Sequence, residues 1–165
     1  PPIKYYHVLK NLSWYGMNRN HPRDQDIEES GYKYHMNDIA ATMGLSNFEI
    51  AKESVLVQKH NARFYANQLS KFNGIHLLPH DRNCSYWLYP IFVENRDDFI
   101  KHLAAYGIES SPAHYRNDTK TCVQKFKSNL PNTDVVDQTM TCIPVGYWIN
   151  VEAREYIVDV IKKGW

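Results

Sequence analysis

Apolar residues along the chain fall into two regimes, one with helical spacing and one with strand-like alternation. Tyr6, Leu9 and Leu12 recur at helical spacing in Ile3 to Leu12, and Gly16 offers a stop after Trp14-Tyr15. A longer apolar stripe follows: Ile39, Ala40 and Met43, then Phe48, Ile50, Ala51, Val55, Leu56, Phe64, Tyr65 and Leu69. Lys52, Glu53, Lys59, Arg63, Gln68 and Lys71 occupy its other faces. This predicts a long helix from Asn37 to about Phe72, kinked at Gly44 to Ser46 and stopped by Asn73-Gly74. Its stripe suits a core or a dimer surface. Beyond it the pattern changes. Ile75 to Leu78 and Ser85 to Val93 read as strands, with Pro90 placing the second at an edge or a bulge. A helix from about Asp98 to Tyr106 follows, capped by Asn95 or Asp97 and ended by Gly107. Ile108 to Ser111 and Met140 to Pro144 read as further extended pieces. Short helices are expected around Lys120 to Phe126 and Thr133 to Thr139, and a final helix capped by Asn150 carries Ile157, Val158, Val160 and Ile161 on its buried side. The fold class expected is α/β: about three mostly antiparallel strands packed with helices on one face, and a long helix leading in.

One stretch of this pattern carries chemistry. Gly31 to Leu45 (GYKYHMNDIAATMGL) passes from alternating polar and aromatic residues into helix formers, with Asn37 or Asp38 as cap. Residues before a helix N-terminus meet unpaired N–H groups and the positive end of the helix dipole, which favours an anion. Lys33 adds a cation, His35 a titratable ring, and Tyr32 and Tyr34 two phenols. These groups suit a phosphate, although an ordinary capped turn has the same local pattern. Asn18 to Ser30 is polar and reads as an exposed loop, in which Arg19 and Arg23 are possible anion contacts.

Composition changes the picture little. A chain of 165 residues with formal charge +1 fits one soluble domain, and no basic surplus calls for nucleic acid. Twelve tyrosines and four tryptophans exceed what a core alone requires and suit interfaces and pockets. Cys84, Cys122 and Cys142 are odd in number and widely spaced, so free buried thiols in a reducing compartment are expected. No apolar run approaches membrane-spanning length, which makes the cytoplasm the default location. The first residues enter a helical pattern without a convincing cap, so an upstream region is expected.

No single motif specifies a reaction. There is no glycine-rich phosphate loop, no GxSxG elbow, no HExxH and no Cys/His spacing for a metal. His114 to Asp118 (HYRND) gathers a base, a phenol, a guanidinium, an amide and a carboxylate past a strand end. It reads either as a ligand-contact loop or as a loop closed by an internal Arg–Asp pair. A Cys122–His114 nucleophile pair, or His114 and Asp118 as acid and base of a small stand-alone enzyme, would need the fold to join those residues.

Taken in order, these segments resemble the DegT–DnrJ–StrS sugar aminotransferases, which have the aspartate aminotransferase fold. The resemblance lies in the helix ending at Trp14-Tyr15-Gly16 and in GYKYHMNDIAATMGL. It continues through the long helix with Arg63 and Tyr65, the strand SYWLYPIFV, Gly107-Ile108 leading to His114, and the Ile143-Pro144 turn before the last helix. It covers essentially the whole chain. It implies that residues 1–45 end a large cofactor domain and carry an inter-subunit loop, while residues 46–165 form a connecting helix and a small C-terminal domain. It implies pyridoxal 5'-phosphate as cofactor, held in the complete enzyme with help from Lys33, His35 and Tyr32. Which of Lys33 and His35 touches the phosphate stays open. His114, Arg116 and Asn117 fall on the sugar side, with Arg116-Asn117-Asp118 departing from the family's usual continuation. The implied partners are a second copy in a homodimer, a keto sugar on a nucleotide diphosphate, and glutamate as amino donor. The Schiff-base lysine of such enzymes has no counterpart among the lysines here, so the isolated chain is expected to be inactive. A non-catalytic binding or regulatory module of the same fold is the alternative.

Overall fold

The computed structural model describes residues 3–18, 22, 24 and 26–165; Arg19 and Arg23 lie outside the described residues. Packing divides the chain into residues 1–49 and 50–165, with the division inside the long helix.

In the first unit, α1 (Tyr6–Leu12) follows a 3-10 turn at Ile3–Tyr5 and has no side-chain N-cap. Tyr15 and Gly16 then take left-handed conformations, with φ of 57° and 82°, which reverse the chain. The segment from Gly31 is laid against this turn by backbone bonds. Tyr32 N–H donates to Leu12 O at 2.7 Å, Tyr15 N–H to Tyr32 O at 3.0 Å, and Tyr34 N–H to Ser13 O at 2.9 Å. Trp14 and Lys33 form an antiparallel bridge. The fit requires glycine at 31, because a Cβ there would lie 2.3 Å from Gly16 N and 2.5 Å from Leu12 O. α2 (Asp38–Leu69) then begins, with Asn37 Oδ1 accepting from Ala40 N–H at 2.9 Å, so Asn37 is the cap. The helix runs unbroken through Gly44 to Ser46, where the sequence predicts a kink, and it ends three residues short of Phe72. One interior glycine costs a helix about 1 kcal/mol, too little to break a segment whose flanks are strong helix formers.

The second unit holds the core. β1 (Ile75–Leu77), β2 (Tyr89–Val93) and β3 (Met140–Ile143) form an antiparallel sheet in the order β1-β2-β3. One face carries Ile75, Tyr89, Ile91, Val93 and Ile143. Against it pack Tyr65 and Leu69 of α2, Phe99 and Leu103 of α3 (Arg96–Ala105), and Ile157, Val160 and Ile161 of α5 (Val151–Lys162). α4 (Pro131–Thr139) leads directly into β3. β2 is thus central, not at an edge as Pro90 suggests. Cys142 opposite Pro90 spends its N–H on Ser111 O at 2.8 Å, so the two form a non-hydrogen-bonded pair. The donor that proline lacks would face the other neighbour, and β1 ends opposite Ile91, one residue short.

Other boundaries shift for local reasons. β2 starts at Tyr89 instead of Ser85 because Tyr86 has a φ of 54° and folds into the preceding loop. Its phenol donates to Asp81 O at 2.9 Å and accepts from Asp81 N–H at 2.8 Å. Asn95 precedes α3 in a left-handed conformation, with φ of 52° and no side-chain cap bond. α4 begins at Pro131, not Thr133, using proline at a first-turn position where no N–H is needed. Among the described residues Ile108 to Ser111 pairs only through the Ser111–Cys142 bridge, and Thr121–Phe126 is a 3-10 helix. All three cysteines are free as expected, but Cys84 and Cys122 are exposed and only Cys142 is buried.

Two side chains of α2 fix the turn between β3 and α5. Tyr65 Oη donates to Pro144 O at 2.8 Å, and Asn61 Nδ2 donates to Ile149 O at 2.9 Å. Asn61 Oδ1 accepts from Arg154 Nη1 at 3.2 Å, and that guanidinium lies 4.6 Å from the Phe64 ring centre. Both Asn61 and Tyr65 are buried. Truncating Asn61 strands several buried partners, so Asn61→Ala is expected to lower stability by about 2–3 kcal/mol, read from urea unfolding. Burial pushes the Tyr89 phenol up to about 12 and raises that of Tyr65 as well. A raised phenol stabilises the fold fully below its ordinary value of about 10 and loses that contribution as pH rises above it. Base titration should therefore show stability falling from about pH 10 upward, and less steeply in Tyr89→Phe. In Gly31→Ala, the amides of Tyr32 and Tyr34 should lose their hydrogen-exchange protection while those of β2 keep theirs.

Candidate functional site

The residues singled out in the sequence fall in two places, one in each unit. In the first, the Gly31–His35 segment is extended, and its alternation sorts the side chains. Tyr32 and Tyr34 stack on each other at 5.2 Å with ring planes 19° apart. They stand 62% and 76% exposed, so the pair faces outward. Lys33 lies between them in sequence and projects from the other side of the extended segment, also exposed. His35 is half-buried, with its ring edge-on to Trp14 at 4.0 Å. Asn37 follows as the cap of α2. The backbone bonds to α1 and its turn therefore hold a lysine, an imidazole and two phenols on one short segment just ahead of a helix N-terminus. An ammonium on a stem fixed by main-chain bonds suits the dianion of a phosphate monoester.

In the second unit, Pro112, His114, Tyr115, Arg116 and Asn117 line a groove of about 450 Å3. Thr133, Val136 and Asp137 of α4 and Met140 of β3 complete the lining. His114, Arg116 and Asn117, predicted from the HYRND cluster, are thus brought together. The α4 side was not legible: Thr133, Val136 and Asp137 are an ordinary amphipathic helical turn in sequence, and the expected start at Thr133 misses the signal that could have placed it, Pro131 at a first-turn position. Cys122 is not among the lining residues, so the pairing with His114 gains no support.

Arg116 is committed within the protein. Its Nε donates to Asp118 Oδ1 at 2.8 Å and its Nη2 to Asp118 Oδ2 at 2.5 Å, while Nη1 donates to Asp134 Oδ1. The internal Arg–Asp pair considered from sequence is therefore present, with a second carboxylate added from α4. The hydrogen bond from the guanidinium holds the Asp118 carboxyl below the usual range, and the carboxylate in turn raises Arg116. A carboxylate with both oxygens engaged is a poor proton acceptor, which counts against His114 and Asp118 as an acid–base pair. Among the described residues no cluster of three or more His, Cys, Asp or Glu is arranged to hold a metal, and no helix is long and apolar enough to cross a membrane.

Comparison with known proteins places this architecture. Residues 4–162 match the model of the DegT/DnrJ/EryC1/StrS aminotransferase family. The sugar aminotransferase CalS13 of Micromonospora echinospora superposes with a TM-score of 0.92 at 33% identity, over 98% of this chain and 45% of that one. The sugar aminotransferase Spr1654 of Streptococcus pneumoniae, described as putative and solved in its PMP form, superposes with a TM-score of 0.82 at 23% identity, over 97% of this chain and 43% of that one. Among curated proteins, the GDP-perosamine synthase of Escherichia coli O157:H7 is 30% identical over 88 residues, 52% of this chain and 24% of that protein. The chain spans less than half the length of these relatives. With nearly all of its 165 residues inside the family match, the chain belongs to the DegT/DnrJ/EryC1/StrS aminotransferase family.

Proposed function

We propose that this chain is the part of a pyridoxal-phosphate-dependent sugar aminotransferase that supplies the phosphate-side arm and the sugar-side groove. The substrate would be a keto sugar linked to a nucleotide diphosphate, with glutamate as amino donor, in amino-sugar or polysaccharide biosynthesis. The observation that carries this is the arm. Gly31 permits main-chain pairing that holds Lys33 and His35 ahead of the α2 N-terminus, an arrangement whose donor set fits a phosphate. Residues 1–45 would then belong with the cofactor domain, and 46–165 would be the connecting helix and small domain. The arm would serve the cofactor of a second copy in a homodimer. Lys33 would pair with the phosphate dianion, with His35, on the same side of the extended segment, donating beside it; Tyr32 projects from the opposite side and would not share that contact. His114 and Asn117 would hydrogen-bond sugar hydroxyls. When bound, pyridoxal phosphate supplies the electron sink for removal of the α-proton. No lysine of this chain is assigned to hold the cofactor's aldehyde, so this chain alone should not turn over. Free cysteines fit a reducing compartment, and we place the protein in the cytoplasm.

A complete protein carrying this chain should take up pyridoxal phosphate with its absorbance band and transfer an amino group to a nucleotide-linked keto sugar. There, Lys33→Ala should weaken cofactor affinity by roughly 10- to 100-fold, the worth of a charge-assisted hydrogen bond. A parallel His35→Ala measurement decides which side chain bears the phosphate. A complete protein that never takes up the cofactor would instead favour a non-catalytic module of the same fold.

A further inference from the structure

The groove is lined by two segments that regular secondary structure does little to join. The first, residues 112–119, leaves the sheet at the Ser111–Cys142 bridge and contains only the short 3-10 turn Asn117–Thr119. The second is α4, which starts at Pro131 after the 3-10 helix Thr121–Phe126. Arg116 reaches both. It binds Asp118 in its own segment through two parallel hydrogen bonds and Asp134 in the first turn of α4 through a third. The Arg116 side chain is only 13% accessible and that of Asp118 17%.

We propose that Arg116 is a positioning residue: shared between Asp118 and Asp134, its guanidinium clamps the 112–119 segment to α4 and is thereby withdrawn from binding the ligand's phosphates. An arginine beside His114 and Tyr115 looks in sequence like an anion site. In the fold each of its three nitrogens already donates to a carboxylate oxygen. A phosphate arriving there would find only the second N–H of Nη1 and of Nη2, on a guanidinium whose charge Asp118 and Asp134 already balance, and it would meet the Asp137 carboxylate on the same lining. Besides that carboxylate the lining offers the Asn117 amide, the Thr133 hydroxyl, the His114 ring, the Tyr115 face and Met140. That lining takes the hydroxyl-bearing ring of a sugar and sends its diphosphate elsewhere. This assignment of the ligand rests on the aminotransferase reading; the clamp itself does not.

Amide hydrogen exchange on the 165-residue chain tests the clamp without turnover. Asp134→Asn should speed exchange several-fold in both 112–119 and 131–139 while β2 and α5 keep their protection. Arg116→Lys should retain more protection than Arg116→Ala. Inorganic pyrophosphate, titrated into the wild-type chain and followed by amide chemical shifts, should leave residues 112–119 unshifted. In the complete enzyme, Asp134→Asn should raise KM for the nucleotide sugar several-fold with kcat little changed. Unchanged exchange in Asp134→Asn, saturable pyrophosphate binding at 112–119, or faster exchange with an unaltered KM would each overturn the proposal. Exchange and pyrophosphate binding need no catalysis, so they test the clamp even if the aminotransferase reading fails.

Discussion

The turn between β3 and α5 is held by two buried side chains one helical turn apart, Asn61 and Tyr65 on α2. Backbone carbonyls in a buried turn must find donors or cost the fold their desolvation. Pro144 and Ile149 find them on α2 instead of on a neighbouring strand. This fixes where β3 ends and where α5 starts, and so sets the seat of the Ile157–Ile161 face on the sheet. Arg154 of α5 closes the same knot by donating to the Asn61 side-chain oxygen and lying over Phe64. A hydrophobic face alone would let α5 slide along the sheet. The polar knot selects one register, at the cost of burying an amide that has few alternatives.

The same contrast between apolar seating and polar registration runs through α2. Its second half buries Ala62, Tyr65 and Leu69. Its first half leaves Ile39, Met43, Leu45, Phe48 and Ile50 more than half exposed. The arm ahead of it depends on main-chain pairing with α1 and its turn. That economy leaves Tyr32, Lys33 and Tyr34 exposed, while His35 packs against Trp14.

Much of this was legible in the sequence because it is local. The α2 stripe, the Asn150 cap and the GYKYHMND passage declare themselves through spacing and turn chemistry. What stayed hidden depends on distant partners. Pro90 reads as an edge residue until Cys142 is seen to bond Ser111 and β1 to end at Leu77. Tyr86 looks like strand until its phenol is found tied to the Asp81 backbone. In the groove, His114, Arg116 and Asn117 were visible as a cluster of chemistry-bearing residues. The commitment of Arg116 to Asp134, 18 residues away, was not. Asp134, Thr133 and Asp137 are ordinary solvent-facing helix residues by pattern, and only the fold makes them neighbours of the loop.

If the Lys33 arm completes a cofactor site on another copy of the same protein, subunit complementation is the most direct way to see it. Two inactive forms of the complete enzyme are mixed under conditions that exchange subunits, one lacking the Schiff-base lysine and one carrying Lys33→Ala, with the cofactor held too dilute to load the Lys33→Ala form. When the arm serves the partner's site, each hybrid dimer contains one site with both residues intact, and aminotransferase activity should reappear on mixing. If mixing restores none while the subunits demonstrably exchange, the arm does not cross between copies, and the proposed role of Lys33 is wrong.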